Sequence, residues 1–210
     1  MKRTLFPFLL FLTLGVNAQN TVMVEARPFQ AKVAYLGAVS YPGFKLGIEI
    51  PMKEKEIHKK SGKIITKTSF LNVNYGFYHH RTFHDNNWLT AEWFKRRSNT
   101  HGFMTEASLG LGYSRTFLSG ATFEVSDAGQ VTKVAAAGDN FLHFTMGVGV
   151  GYTFKKADKM PVTAYLKTNL MILTPYNNFI YVRPTVELGI VTPLSIWTKN
   201  ITKNLLKLGA

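Results

Sequence analysis

From Phe29 to Thr192 the chain alternates between apolar residues and small or polar ones, with the period of two that a strand imposes. The first run sets Phe29, Ala31, Val33, Tyr35, Gly37, Val39 and Tyr41 on one face. After Tyr41-Pro42-Gly43, a second run carries Phe44, Leu46, Ile48, Ile50 and Met52 opposite Lys45, Gly47, Glu49 and Lys53. A third, 64–83, sets Ile65, Leu71, Val73, Tyr75 and Phe77 against Thr66, Thr68, Asn72, Asn74 and Gly76. A shorter fourth, 87–97, opposes Leu89, Ala91 and Trp93 to Trp88, Thr90 and Glu92. Runs over 101–117, 140–155, 161–173 and 178–192 repeat the pattern, with Glu106, His143, Lys167, Arg183 and Glu187 on their polar faces.

Ordinary strands run to about 5–6 residues. Eight runs of roughly ten or more fit instead the 9–11 or so tilted residues that cross a bilayer. Which face is inward decides between a soluble and a membrane barrel. The apolar faces are bulky and rimmed by Tyr, Phe and Trp, whereas the opposite faces are small, glycine-rich and sparsely charged. A solvent-washed surface carries more charge than this. A narrow polar lumen behind a lipid-facing apolar band matches the pattern.

The start of the chain agrees. Met1-Lys2-Arg3 is basic, Thr4 to Val16 is apolar, and Val16-Asn17-Ala18 has the small-x-Ala form of a signal peptidase site. Residues 1–18 therefore read as a signal peptide, with cleavage before Gln19. The apolar run is broken by Pro7 and is shorter than the ~20 residues of a spanning helix. The chain has 210 residues, no cysteine and a formal charge of +13. The missing cysteine excludes a disulfide scaffold, a thiolate-held zinc or iron–sulfur site, and a lipid anchor on cysteine. The positive charge would ordinarily raise nucleic acid as a partner, but a secreted chain makes that an unsuitable reading.

The leader, the eight runs, the aromatic rims and the alternation of short and long connections resemble the small eight-stranded outer-membrane β-barrel proteins of Gram-negative bacteria. The resemblance covers 29–192 and is one of pattern, without a subfamily motif. It implies an all-β fold, an eight-stranded antiparallel transmembrane β-barrel in the cell outer membrane, with the lipid bilayer and lipopolysaccharide as its surroundings. Residues 19–28 would be an N-terminal periplasmic segment. Such barrels often end on the last strand with an aromatic residue, whereas here 193–210 follow and end in Gly209-Ala210. That tail reads as a short basic amphipathic periplasmic helix. Leu194, Trp197, Ile201, Leu205 and Leu208 form its stripe, Ser195 is a candidate cap, and Lys199, Lys203 and Lys207 lie off the stripe.

With both termini in the periplasm, as the resemblance implies, the long 118–139 connection lies outside. The connections at 53–63, 95–101 and 155–160 and the tail are then periplasmic and basic, while the outer connections are together slightly acidic. A basic inner rim suits phospholipid head groups or an acidic periplasmic partner.

Three features carry candidate chemistry. Gly147-Val148-Gly149-Val150-Gly151 superficially matches a dinucleotide motif, but it lies within a strand and opens no helix, so no phosphate cradle forms. His79, His80, His84 and Asp85 gather at the outer end of the third run. His80 and His84 are candidates for a metal site or for the base of an outer-leaflet lipid hydrolase or acyltransferase, with Ser119 and Ser126 as the nearby hydroxyls. Without a convincing nucleophile, the expectation is no catalytic residue, no metal and no cofactor. Lys45, Glu49, Glu92, Glu106, Lys167, Arg183 and Glu187 form the third feature. Eight strands leave an interior just wide enough for side chains, so these charges are expected to pair into a plug rather than line a channel. The expected role is structural or interactive, with a lipid-modifying enzyme or a narrow channel as the alternatives.

Overall fold

The computed structural model describes residues 21–23, 28–38, 41–154, 161–176 and 179–194. The signal segment 1–18, the connection 155–160, and the helix and Ser195 cap expected in the tail lie outside the described residues. Eleven strands are described: β1 Thr21–Met23, β2 Gln30–Ala38, β3 Tyr41–His58, β4 Ile64–His80, β5 His84–Asn99, β6 Phe103–Leu118, β7 Thr122–Val125, β8 Val131–Val134, β9 Asn140–Phe154, β10 Val162–Tyr176 and β11 Phe179–Pro193. Eight of them close into an antiparallel ring in the order β2-β3-β4-β5-β6-β9-β10-β11, with β11 pairing back onto β2. The strand pairings lie within and next to the eight runs read from the sequence.

The ring is tilted. The cross-strand row that starts at Lys53 on β3 passes Ser69, Lys95, Ala107, Val148, Thr168, Val186 and Gly37, and returns to β3 at Pro42. That climb around the ring is the stagger that a closed barrel requires. One rim holds the start of β2 and the end of β11 and is called here the terminal rim. The opposite rim carries the β7–β8 hairpin, which the sequence pattern left as a plain connection.

Alternation decides what faces where. Leu46, Val73, Leu111, Leu142, Val148, Leu188 and Ile190 point outward and are exposed, while Lys45, Glu49, Glu92, Lys167 and Glu187 are buried within the ring. This is a membrane barrel, with its apolar surface turned to lipid. At the rim opposite the termini the Tyr75 and Tyr113 hydroxyls donate to Asn87 and Asn140, the wet end of an interfacial belt.

Two features depart from the sequence reading. The lumen face is not uniformly small: Phe70, Tyr78, Trp88, Phe94, Met104 and Tyr165 all point inward and are buried. Glycine makes the space. Gly76 faces Trp88 across β4–β5, and a Cβ at 76 would collide with the indole. Gly189 faces Tyr165 across β10–β11, where a Cβ would come within 2.6 Å of the phenol oxygen. The second departure is in β3. Pro51 pairs with Phe70 and Lys53 with Ser69, so Met52 is an extra residue in a bulge beside a proline that has no N–H to donate. The bulge reverses the parity of the strand. Lys53, expected beside Lys45 and Glu49 on the lumen face, is instead exposed, and Glu54 turns inward and is buried.

Candidate functional site

The terminal half of the lumen holds a charge cluster built by six strands. Lys45 Nζ lies 2.6 Å from Glu92 and 2.7 Å from Glu187. Lys167 Nζ lies 3.0 Å from Glu92 and 4.0 Å from Glu106. Arg96 reaches Glu49 and Glu106, each at 2.9 Å, and donates to Gln30 at 3.2 Å. Lys32 lies 3.6 Å from Glu187, which also accepts from Asn169 at 2.8 Å. Four cations therefore meet four carboxylates and the cluster is neutral. Removing such charges from water is costly, and only this density of mutual pairing offsets it.

Of the seven charges singled out in the sequence, the structure brings six together. Arg183 stands apart. Its guanidinium lies 4.7 Å from the ring centre of Tyr78 and 5.5 Å from that of Tyr181. Among the described residues it pairs with no carboxylate. Glu187 is four residues along the same strand, roughly 13 Å away at strand rise, and Lys45, Lys32 and Asn169 already occupy it. Conversely, Lys32 and Arg96 belong to the cluster and were missed. Arg96 shares the parity of Glu92 on β5, which was the available signal.

Above and below the charges the lumen is filled. Towards the rim opposite the termini, Leu36, Tyr78, Trp88, Phe141, Met171 and Leu173 pack together, with Tyr181 against them. Towards the terminal rim, Phe70 and Phe94 stack at 4.8 Å with Arg96 over both rings. Ala34, Met104, Tyr165 and Val191 form a second apolar group in the same half of the lumen.

The histidines lie at the hairpin between β4 and β5, above the outward apolar residues Phe77 and Leu89. His80 and His84 are cross-strand partners with rings stacked at 5.4 Å. Phe83 covers His80 at 4.9 Å. His79 pairs with Asp85, and His84 Nε2 lies 3.0 Å from the Tyr78 hydroxyl. Partial burial lowers the His84 pKa below its ordinary value, helped by Arg183 and His80 and opposed by Asp85. Ser119 donates its backbone N–H to Phe83 O, and Ser126 Oγ accepts from the Gln130 N–H in the distant hairpin. Neither hydroxyl bonds to His80 or His84. Among the described residues no group of three or more His, Asp or Glu side chains has metal-holding geometry. Gly147, Gly149 and Gly151 lie inside β9, where they give Lys167, Asn169 and Tyr165 their room.

No protein-family model matches the sequence. No curated protein is similar to it at the level of sequence. Solved structures are similar in fold. Neisserial surface protein A is 13% identical over 79% of this chain and 95% of its own, with a TM-score of 0.44. The N-terminal β-barrel domain of Pseudomonas aeruginosa OprF is 13% identical over 80% of this chain and 98% of its own, with a TM-score of 0.47. The outer membrane enzyme PagL is 11% identical over 78% of this chain and 96% of its own, with a TM-score of 0.34. No residue role transfers at such identities.

Proposed function

We propose that this integral outer-membrane β-barrel is a closed, non-conducting scaffold with a structural or interaction role in the cell envelope. One observation carries the reading: the four-by-four charge cluster is neutral, internally paired and capped by aromatic packing, so the lumen acts as a core. What varies outside that core is then the working part. The β7–β8 hairpin stands beyond the barrel with Phe123, Val125 and Val131 exposed, a surface suited to contact with another molecule. The basic terminal rim suits phospholipid head groups or an acidic periplasmic partner. The alternative, a hydrolase or acyltransferase using His80 or His84, needs a nucleophile, and the Ser119 and Ser126 hydroxyls make no bond to either histidine. The test is conductance in planar bilayers. The purified barrel is expected to stay at background, and stable large single-channel steps would overturn the filled-lumen reading. Orientation is checked alongside: cysteine placed at Ser126 is expected to react with an impermeant thiol reagent on intact cells, and cysteine at Ser61 is not.

A further inference from the structure

Reversal of β3 by the Met52 bulge has a consequence on the outside of the barrel. Past the bulge, Lys53 and Lys55 face outward and Glu54 faces in, where it accepts a hydrogen bond from Thr68 at 2.9 Å. Cross-strand register then lines up two rows on the outer surface of β3, β4 and β5. One is Lys53–Ser69–Lys95 and the other is Lys55–Lys67–Arg97. Among the described residues none of these five cations pairs with a carboxylate. Like charges directly opposite one another destabilise a sheet, so the arrangement costs stability unless an anion lies between the rows.

The rows border a hollow of about 410 Å³ lined by Lys53, Lys55, Lys67, Lys95, Arg97 and Ser69, among others. Lys95 also borders a second, apolar groove of about 620 Å³. That groove follows the climbing cross-strand row Trp93–Leu109–Met146–Leu170–Pro184, from the terminal rim toward the middle of the apolar band. Ala107 keeps it open. At the junction, Lys95 Nζ lies 4.8 Å from the ring centre of Trp93. A cationic hollow at the edge of the band thus continues into an apolar channel running up the barrel wall.

We propose that this outer face is a binding site for an anionic phospholipid of the periplasmic leaflet. The phosphodiester sits among Lys55, Lys67 and Arg97, and one acyl chain lies in the groove past Trp93. The proposal rests on the reading of the protein as a barrel with its termini in the periplasm. It deepens that reading by naming the partner of the basic rim and the residues that hold it.

Trp93 reports on the site directly. Trp88 is sealed in the lumen, and Trp197 is replaced by Phe so that it does not contribute. The full chain is refolded into phosphatidylcholine vesicles doped with equal fractions of brominated phosphatidylglycerol or brominated phosphatidylcholine. Brominated phosphatidylglycerol is expected to quench Trp93 more strongly, with a relative association about fivefold or more above one that shrinks at high salt. The triple variant Lys55→Gln, Lys67→Gln, Arg97→Gln should bring the ratio to one. A variant with the same charge loss in the neighbouring turn, Lys59→Gln, Lys60→Gln, Lys63→Gln, should keep it. Lys67→Gln alone should raise the temperature of barrel opening in pure phosphatidylcholine, by relieving repulsion, and lower it in phosphatidylglycerol. Equal quenching by the two lipids in the wild type would overturn the site, as would equal loss in both triple variants. Tighter association of lipid A than of phosphatidylglycerol would overturn the leaflet. The heat-modifiable gel shift reads the barrel separately, and its absence in the wild type would overturn the barrel reading itself.

Discussion

Trp88 fits inside the barrel because its cross-strand partner is Gly76: the indole occupies the space that a side chain at 76 would fill. The same pairing of bulk with glycine recurs at Tyr165 and Gly189, and at Gly149 between Glu106 and Lys167. Glycine spacing along the strands is thus the complement of the lumen's large residues. Gly76→Ala is expected to destabilise the barrel by about 1–3 kcal/mol, the usual cost of overpacking. The check is the temperature at which the compact gel band is lost. Adding Trp88→Leu should restore much of the loss, and an unrestored double mutant would separate the two residues.

The charge cluster makes a sharper contrast. Glu187→Gln leaves Lys32 without its ion-pair partner and deprives Lys45 of one of two. Breaking a buried pair from one side costs about 3–5 kcal/mol. Arg183→Met leaves no carboxylate stranded, since among the described residues the guanidinium pairs with none and lies near the Tyr78 and Tyr181 rings. Its cost should stay under about 1.5 kcal/mol, as for other volume-conserving swaps. Urea midpoints of the two variants in one detergent decide the matter. Comparable losses would place Arg183 in the cluster after all.

Local pattern was sufficient for the barrel strands. Eight strands were legible because alternation is a property of each strand alone, and a one-residue slip would expose its core face. Six lumen charges followed from the same parity. What escaped depends on pairing between strands. The Met52 bulge is invisible to a period-two count, and through it Lys53 was placed on the wrong face. Trp88 lies on the polar face that the fourth run gave it, whereas the inward Phe70, Tyr78 and Phe94 carried no signal of their own; Gly76 makes room for Trp88, and Gly43 lies against Tyr78. The β7–β8 hairpin was hidden by four-residue strands around Asp127 and Gly129, and Gly129 supplies the positive φ of its turn. Arg183 had the right parity, but its height along the strand keeps it from Glu187.

A pH dependence follows from His84. Its pKa is lowered in the folded barrel, chiefly by burial, so the unfolded chain binds the proton more readily. Stability is therefore complete above the ordinary imidazole value near 6.5 and declines as pH falls from there toward the folded-state value. The expected measurement is a modest drop in the barrel-opening temperature between neutral and mildly acidic buffer. His84→Gln should reduce that drop. An unchanged slope in the variant would assign the dependence elsewhere.

The last prediction concerns catalysis at the same hairpin. A rim histidine acting as general base would contribute about 10²–10⁴-fold to turnover, so its removal would be conspicuous. The geometry argues for a different occupation. His80 Nδ1 lies 3.3 Å from the backbone nitrogens of both Thr82 and Phe83, inside its own turn. His84 faces the Tyr78 hydroxyl, and His79 is held by Asp85. These contacts close the hairpin and leave the imidazoles engaged with their own strands rather than aimed at an acyl ester in the outer leaflet. Cells overexpressing the protein are expected to show lipid A of unchanged mass. The double variant His80→Ala, His84→Ala should lower the stability of the hairpin end without altering lipid composition. A mass change of one acyl chain in the wild type that disappears in the double variant would establish the enzymatic reading in place of the scaffold.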